Sequence, residues 1–298
     1  MDEGRWDPDK ARVRAGFERA AAGYDRVAVL QREVGGRLLE RLDLLREFRP
    51  RRILDLGAGT GQATAALARR YRGARVTALD WSPAMLARVR RRGPWWRRPP
   101  HCVCGDLERL PLADGSADLL FSNLTLQWCA APDAVFREFR RVLAPGGTLL
   151  FTTFGPDTLR ELREAWARAD GYEHVNRFLD LHDIGDALVR ARLAEPVMDA
   201  EYLTLTYARV EDLLHDLKGL GSRTVGETRA RGLTTRARLA AMAEAYEALR
   251  RDGRLPASFE VVYGHAWAPP AHDAPQSRGP VEVELPRRSG APVDRGAR

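Results

Sequence analysis

Lysine is nearly missing from this chain: of 48 basic residues only Lys10 and Lys218 are lysines, and the rest are arginines. So one-sided a choice reads as a compositional habit, and a single arginine run carries little weight as a signal. Cysteine is scarce too. Three cysteines cannot build a disulfide framework. Cys102 and Cys104 stand two apart on one face of a short apolar segment, and no matching Cys or His cluster accompanies them. They are expected to be core residues, and no metal site is expected. No apolar run reaches the length needed to cross a bilayer, and no secretory leader is legible. The expectation is a cytoplasmic protein without membrane contact. Internal repeats are absent.

What is present is enough apolar matter for one large domain with additions: 298 residues, 44% of them hydrophobic. The net charge of +7 suits an acidic partner or nucleic acid. Arg88, Arg90, Arg91 and Arg92, then Trp95-Trp96-Arg97-Arg98, mix charge with aromatics, but given the arginine habit they read as a solvated loop. Charge alone supports nucleic-acid binding, and it is not expected.

The richest stretch is Ile53-Leu54-Asp55-Leu56-Gly57-Ala58-Gly59-Thr60-Gly61. An apolar run ends in Asp55, glycines follow at alternate positions, and a helical pattern begins. This spells a strand, a tight turn and a helix amino-terminus. Glycine is needed where backbone passes close to a ligand, because a Cβ would block the approach. The helix start offers unpaired N–H groups. A second apolar run, Val76-Thr77-Ala78-Leu79, ends in Asp80, and a carboxylate there can accept hydrogen bonds from both hydroxyls of a ribose. A third strand, His101 to Cys104, leads to Asp106, placed to accept from an adenine amino group. A fourth, Ala117 to Asn123, precedes a helix opened by Asp133, with Val135, Phe136, Phe139, Val142 and Leu143 at helical spacing. Pro145-Gly146-Gly147 breaks that helix, and Thr148 to Phe154 reads as a fifth strand.

Strands alternating with helices imply a parallel, doubly wound α/β sheet, which binds ligands at the carboxyl ends of its strands. Asp55, Asp80, Asp106 and Asn123 all fall at such ends. Before this core, residues 11 to 46 are helical, and Arg49-Pro50 marks the boundary. After it, Asp157 is placed to cap a helix that buries Leu159, Leu162, Ala165 and Trp166. Met198 to Tyr207 and Phe259 to Trp267 read as an antiparallel pair. Helices between them carry Leu213, Leu214 and Leu217, then Leu239, Met242, Tyr246 and Leu249. The tail from Pro269 holds six of the eighteen prolines and reads as disordered.

The G-x-G-x-G spacing differs from the dinucleotide pattern G-x-G-x-x-G. With Asp80 it resembles motif I of the class I S-adenosylmethionine-dependent methyltransferases. Later segments narrow the resemblance. Thr153-Phe154-Gly155-Pro156-Asp157-Thr158-Leu159, His174-Val175-Asn176-Arg177-Phe178, His182-Asp183-Ile184-Gly185-Asp186 and Asp216-Leu217-Lys218-Gly219-Leu220-Gly221 are similar to the malonyl-acyl-carrier-protein O-methyltransferases of biotin synthesis. So are Gly253-Arg254-Leu255-Pro256-Ala257 and Val262-Tyr263-Gly264-His265-Ala266-Trp267, and with Ala20 to Tyr24 the similarity spans roughly residues 11 to 268. Three features depart from the family pattern. Ser222-Arg223-Thr224 stands where the family commonly has an Asn, and the Trp95-Trp96 loop and the tail match nothing in it.

The resemblance implies a Rossmann-like class I methyltransferase sheet with an antiparallel final strand pair and helical lid insertions. It divides the chain into an amino-terminal helical lid (1–48), an S-adenosylmethionine-binding core (49–154), substrate-binding insertions with the final strands (155–268) and a tail (269–298). The implied reaction moves a methyl group from S-adenosylmethionine to the free carboxylate of malonyl-acyl-carrier protein, or of malonyl-coenzyme A. The methyl ester then primes elongation toward pimeloyl. The expected cofactor residues are Asp55, Gly57, Gly59, Gly61, Asp80, Trp81, Asp106, Leu107 and Asn123.

A carboxylate is already a nucleophile at neutral pH, so no general base is required. The segment Ser122-Asn123-Leu124-Thr125-Leu126-Gln127-Trp128 lacks the Asn-Pro-Pro-Tyr pattern suited to amino-group or base methylation. Arg177 is the candidate fork for the malonyl carboxylate, with Lys218 next. His174, His182 and His265 are candidate substrate contacts, and Tyr24 a candidate lid residue over the cofactor. The nearest rival is a methyltransferase acting on a small quinone-like ring.

Overall fold

The chain's apolar runs order themselves into one mixed sheet, and a computed structural model describes residues 9–92, 100–221 and 234–271 of it. Three helices come first: α1 (Lys10–Ala20), α2 (Tyr24–Val27) and α3 (Val29–Arg41). The alternating part follows: β1 (Arg52–Leu56), α4 (Gln62–Arg70), β2 (Arg75–Asp80), α5 (Pro83–Arg91), β3 (His101–Cys104), β4 (Ala117–Ser122), α6 (Pro132–Val142) and β5 (Leu143–Phe154). The remainder is α7 (Arg160–Ala169), α8 (Leu181–Arg190), β6 (Ala194–Tyr207), α9 (Val210–Gly219), α10 (Arg236–Glu247) and β7 (Leu255–Trp267).

The sheet order is β3-β2-β1-β4-β5-β7-β6. The first five strands pair in parallel, and β7 lies antiparallel between β5 and β6. This is the doubly wound α/β sheet with the antiparallel end that the sequence implied. The chain winds outward from β1 in one direction and from β4 in the other, so a crevice opens beyond their carboxyl ends. Central strands are covered on both faces and therefore read as apolar runs: Ile53, Leu54 and Leu56 around the buried Asp55 in β1, Leu119 to Phe121 in β4. One face packs on α3, α4, α7 and α10 through Val34, Leu38, Leu67, Trp166, Met242 and Tyr246. The other packs on α6 and α8 through Val135, Phe136, Phe139, Ile184 and Leu188.

Several local expectations are corrected. Strand β5 starts at Leu143 rather than Thr148, since Leu143 already pairs with Ala117 before the glycines interrupt the register. Asp157 does not cap α7. The helix starts at Arg160, after Leu159 in a left-handed conformation (φ 56°), and the Asp157 N–H donates to Glu260 Oε2 at 2.8 Å. Of the cysteines expected in the core, Cys104 is exposed and Cys102 is only half-buried, packed against Ala78, Leu86 and Val89, because β3 is an edge strand of the sheet. Leu239 is 40% exposed, on the outer side of α10. Trp95-Trp96, Ser222-Arg223-Thr224 and most of the tail lie outside the described residues. Among the described residues, no helix is long and apolar enough to cross a membrane.

Candidate active site

The β1–α4 turn is built by backbone that only glycine adopts freely. Gly57, Gly59 and Gly61 have φ of 71°, 54° and 83°. A Cβ at Gly57 would fall 2.2 Å from Thr125 Oγ1, so β1 and the segment after β4 can approach only because that atom is missing. A Cβ at Gly59 would meet nothing within 4 Å, because it would stand in the cleft itself. Gly61 instead packs against Val89 and begins α4. Asp55 points away from the cleft. It is 1% exposed and accepts from Thr64 Oγ1, which ties the turn to the first coil of α4. Burial pushes its carboxyl up to about 7.

Asp80 closes β2 with its carboxylate at the cleft. Gly59 N–H donates to Oδ2 at 2.9 Å and Ser82 N–H to Oδ1 at 2.8 Å. The Trp81 N–H adds a third bond, and together they fix the group while leaving part of its accepting capacity for a ligand. Burial pushes its pKa up to about 6. Around it lies a cleft of about 750 Å³, a volume that includes space open to solvent. Gly57, Gly59, Asp80, Trp81, Asp106, Leu107 and Asn123 of the expected cofactor residues line it, together with Tyr24. Asp55 and Gly61 do not.

The amino-terminal helices form the near wall. Phe17 meets Trp128 edge-on at 5.4 Å. Lys10 pairs with Asp106 at 2.7 Å and Glu108 at 2.6 Å, so Asp106 holds α1 as well as lining the cleft. Asp25 accepts from Thr60 Oγ1 at 2.6 Å and Gln62 Nε2 at 3.0 Å, and pairs with Arg92. Burial pushes that carboxyl up, but these partners outweigh it and hold it below the usual range. Burial raises the Tyr24 hydroxyl, aided by the charges of Asp80 and Asp25. Asn123 spends its amide on the fold: Nδ2 donates to the Gln31 carbonyl at 2.9 Å, and Oδ1 accepts from Thr152 Oγ1 at 2.8 Å.

A second compartment adjoins the first. Val27, Leu30, Leu159, Leu162, Val175, Phe178, Leu205 and Phe259 make most of its wall, with Thr158, His174, Asn176, Tyr207 and Asp216 as polar points. Gln31, Trp128 and Phe154 line both compartments and are the partition between them. Sequence reading missed this partition. Its residues come from α3, the segment after β4 and the end of β5, and nothing local marks them as neighbours.

His174 is the one expected substrate contact that borders this compartment. It stacks on Trp166 at 3.7 Å, and its Nε2 lies 2.9 Å from Asp170. The other candidates go elsewhere. Arg177 is 69% exposed, pairs with Glu173, and borders a separate open groove beside Leu126 and Phe178. Lys218 is exposed on the last turn of α9. His182 is exposed at the start of α8. His265 sits within β7, 2.8 Å from Thr148 Oγ1, and burial lowers its pKa. Among the described residues, neither compartment is lined by Lys or Arg, and no group of three or more His, Cys, Asp or Glu could hold a metal ion.

The residues fit a nucleoside carrying a positive charge. A carboxylate with accepting capacity left over stands at the strand end, a glycine backbone leaves room beside it, and the charged lining is anionic. Comparisons agree. Residues 54–151 match the methyltransferase domain family. The fold is similar to that of the YcgJ protein of Bacillus subtilis (TM-score 0.55, 18% identity, 78% of this chain and 99% of that one). It is also similar to that of an S-adenosylmethionine-dependent methyltransferase from Thermotoga maritima (TM-score 0.50, 18% identity, 86% and 99%). The malonyl-[acyl-carrier protein] O-methyltransferase of Laribacter hongkongensis is 54% identical over 273 residues, 88% of this chain and 91% of its own. That of a Methylovorus species is 50% identical over 291 residues, 95% and 97%. The protein is an S-adenosylmethionine-dependent methyltransferase. At this identity over nearly the whole length, the chain belongs to the malonyl-[acyl-carrier protein] O-methyltransferase family.

Proposed function

We propose that this protein methylates the free carboxylate of a malonyl group carried as a thioester on acyl-carrier protein, in the cytoplasm, giving the methyl ester that primes pimeloyl synthesis for biotin. One observation carries the reading beyond family membership: the cofactor cleft and a second, mainly apolar compartment meet at Gln31, Trp128 and Phe154. An apolar chamber suits an acyl thioester arm, and the partition is where a methyl donor and an acceptor would face each other.

S-adenosylmethionine supplies a methyl group on a positively charged sulfur. Asp80 would hold the ribose hydroxyls, with Leu107 and Trp81 against the apolar faces of the nucleoside. Asp106 stands at the cleft with one oxygen accepting from the Glu108 N–H at 3.0 Å and the other paired to Lys10. The helices α1 to α3 act as a lid, and Phe17, Tyr24 and Trp128 keep water from the reacting centre. The acceptor carboxylate is ionised at neutral pH and needs no base, so the protein's work is alignment.

The direct test is mass spectrometry of malonyl-carrier protein after incubation with enzyme and S-adenosylmethionine. One added methyl is expected, carried on the acyl group and lost with it when the thioester is cleaved. No mass change, with methylation of small ring acceptors instead, would overturn the reading. The carrier should also be recognised by charge. With a net charge of +7, activity on malonyl-carrier protein should fall with added salt more steeply than activity on malonyl-coenzyme A. Equal slopes would remove the electrostatic contribution.

A further inference from the structure

A malonyl carboxylate brought into this site would find no lysine or arginine among the described lining residues, and the His174 ring there already faces Asp170. An unpaired carboxylate in a water-poor pocket is costly. The bound sulfonium attracts it, but attraction to one charge does not fix which oxygen faces the methyl carbon. Neutral donors must set the orientation.

Of the three residues lining both compartments, Phe154 has no polar atom and Trp128 offers a single indole N–H. Gln31 brings an amide with two donors and an acceptor. Its Oε1 is buried and has no hydrogen-bond partner. A buried amide oxygen left unpartnered is uncommon and calls for a reason. The backbone there is anchored: Asn123 Nδ2 donates to the Gln31 carbonyl at 2.9 Å, and Asn123 is itself held by Thr152. The amide thus stands on a fixed stem at the meeting of two ligand spaces, with bonding capacity unspent. Rotation of the side-chain amide exchanges the nitrogen and oxygen positions at little steric cost, because the two ends are nearly the same size.

We propose that Gln31 is the positioning residue for the acceptor: its side-chain amide donates to the malonyl carboxylate and turns one oxygen toward the sulfonium methyl. This rests on the malonyl-thioester reading above. A neutral donor also suits the chemistry better than a guanidinium fork. A paired cation would draw electron density from the attacking oxygen, whereas an amide N–H holds the group and leaves it nucleophilic. The exposed, Glu173-paired Arg177 is then not required at the reacting centre.

The test uses the full-length protein with Q31L and Q31E, and three measurements. These are S-adenosylmethionine affinity and thermal unfolding, equilibrium binding of malonyl- against acetyl-carrier protein in the presence of S-adenosylhomocysteine, and kcat/KM across pH. Q31L should keep S-adenosylmethionine affinity and melting temperature, lose the preference for malonyl over acetyl, and lower kcat/KM by about 10- to 100-fold. Q31E puts a carboxylate against a carboxylate. At saturating S-adenosylmethionine it should lower kcat/KM further relative to wild type at pH 8, and that ratio should recover in part toward pH 6, as the buried Glu protonates and becomes a donor. A structural role would not produce that recovery. Wild-type preference and kcat/KM in Q31L would overturn the proposal, as would loss of S-adenosylmethionine binding or folding in both variants. If the wild-type protein forms no malonyl methyl ester, it is the substrate reading that fails, and the wild-type sample alone reveals it.

Discussion

Asp80→Ala should weaken S-adenosylmethionine binding by about 100-fold or more, and the loss should be read by calorimetry. The carboxylate is held by the Gly59 and Ser82 N–H groups, and Asp80 lines the cleft. Hydrogen bonds to a charged acceptor contribute about 1.5–3 kcal/mol each, and every 1.4 kcal/mol is tenfold in affinity. The pH dependence follows from the same group. Burial raises the Asp80 pKa to about 6, so below that value the carboxyl is protonated and has lost part of its accepting capacity. Binding favours the ionised form. Affinity should therefore decline as pH falls from 7 to 5, and binding near pH 6 should release a proton. That slope should vanish in Asp80→Ala. A wild-type affinity that is flat across this range, or an unchanged Kd in the variant, would contradict the assignment.

Substitutions in the glycine turn should separate folding from binding. Gly59→Val places a side chain where no atom stands within 4 Å, in the space a ligand needs. It also forces a β-branched residue to a φ of 54°, which costs about 1–2 kcal/mol. The protein should fold with a melting temperature lowered by a few degrees, and S-adenosylmethionine binding should fall below detection. Gly57→Ala should behave differently. Its Cβ would lie 2.2 Å from Thr125 Oγ1 and 2.7 Å from Thr125 Cβ, so the segment after β4 must move, and that segment lines both the cleft and the partition. Stability and binding should be lost together. Gly59→Val with normal affinity would mean that the turn does not bound the cofactor site.

Much of the molecule was legible because its signals are local. A parallel sheet buried on both faces makes each central strand a short apolar run, and the turn after it needs glycine. Asp80 could be read because its place at a strand end and its distance from the turn are both features of the one-dimensional pattern. The antiparallel pair of β6 and β7 was legible from its β-branched and aromatic content. Local reading failed where a side chain's partner is remote. Asp157 has the residue type of a helix cap, yet Glu260, more than a hundred residues away, takes its N–H and the helix starts later. Cys102 and Cys104 look apolar, but their burial depends on the strand's place in the sheet, and β3 is at the edge.

The sequence by itself determined the alternation of strands and helices, the glycine turn, the acidic residue at the end of β2 and the family. Only the tertiary structure decided how the polar residues are used. It turned Asp55 inward to Thr64, gave Asn123 to the backbone of α3, left Arg177 with Glu173 in solvent, and brought Gln31, Trp128 and Phe154 together. The physical reason is range. Hydrophobic periodicity and turn chemistry act between residues a few positions apart. The fate of a polar group depends on which donors and acceptors the packed chain sets beside it, and those come from anywhere along its length.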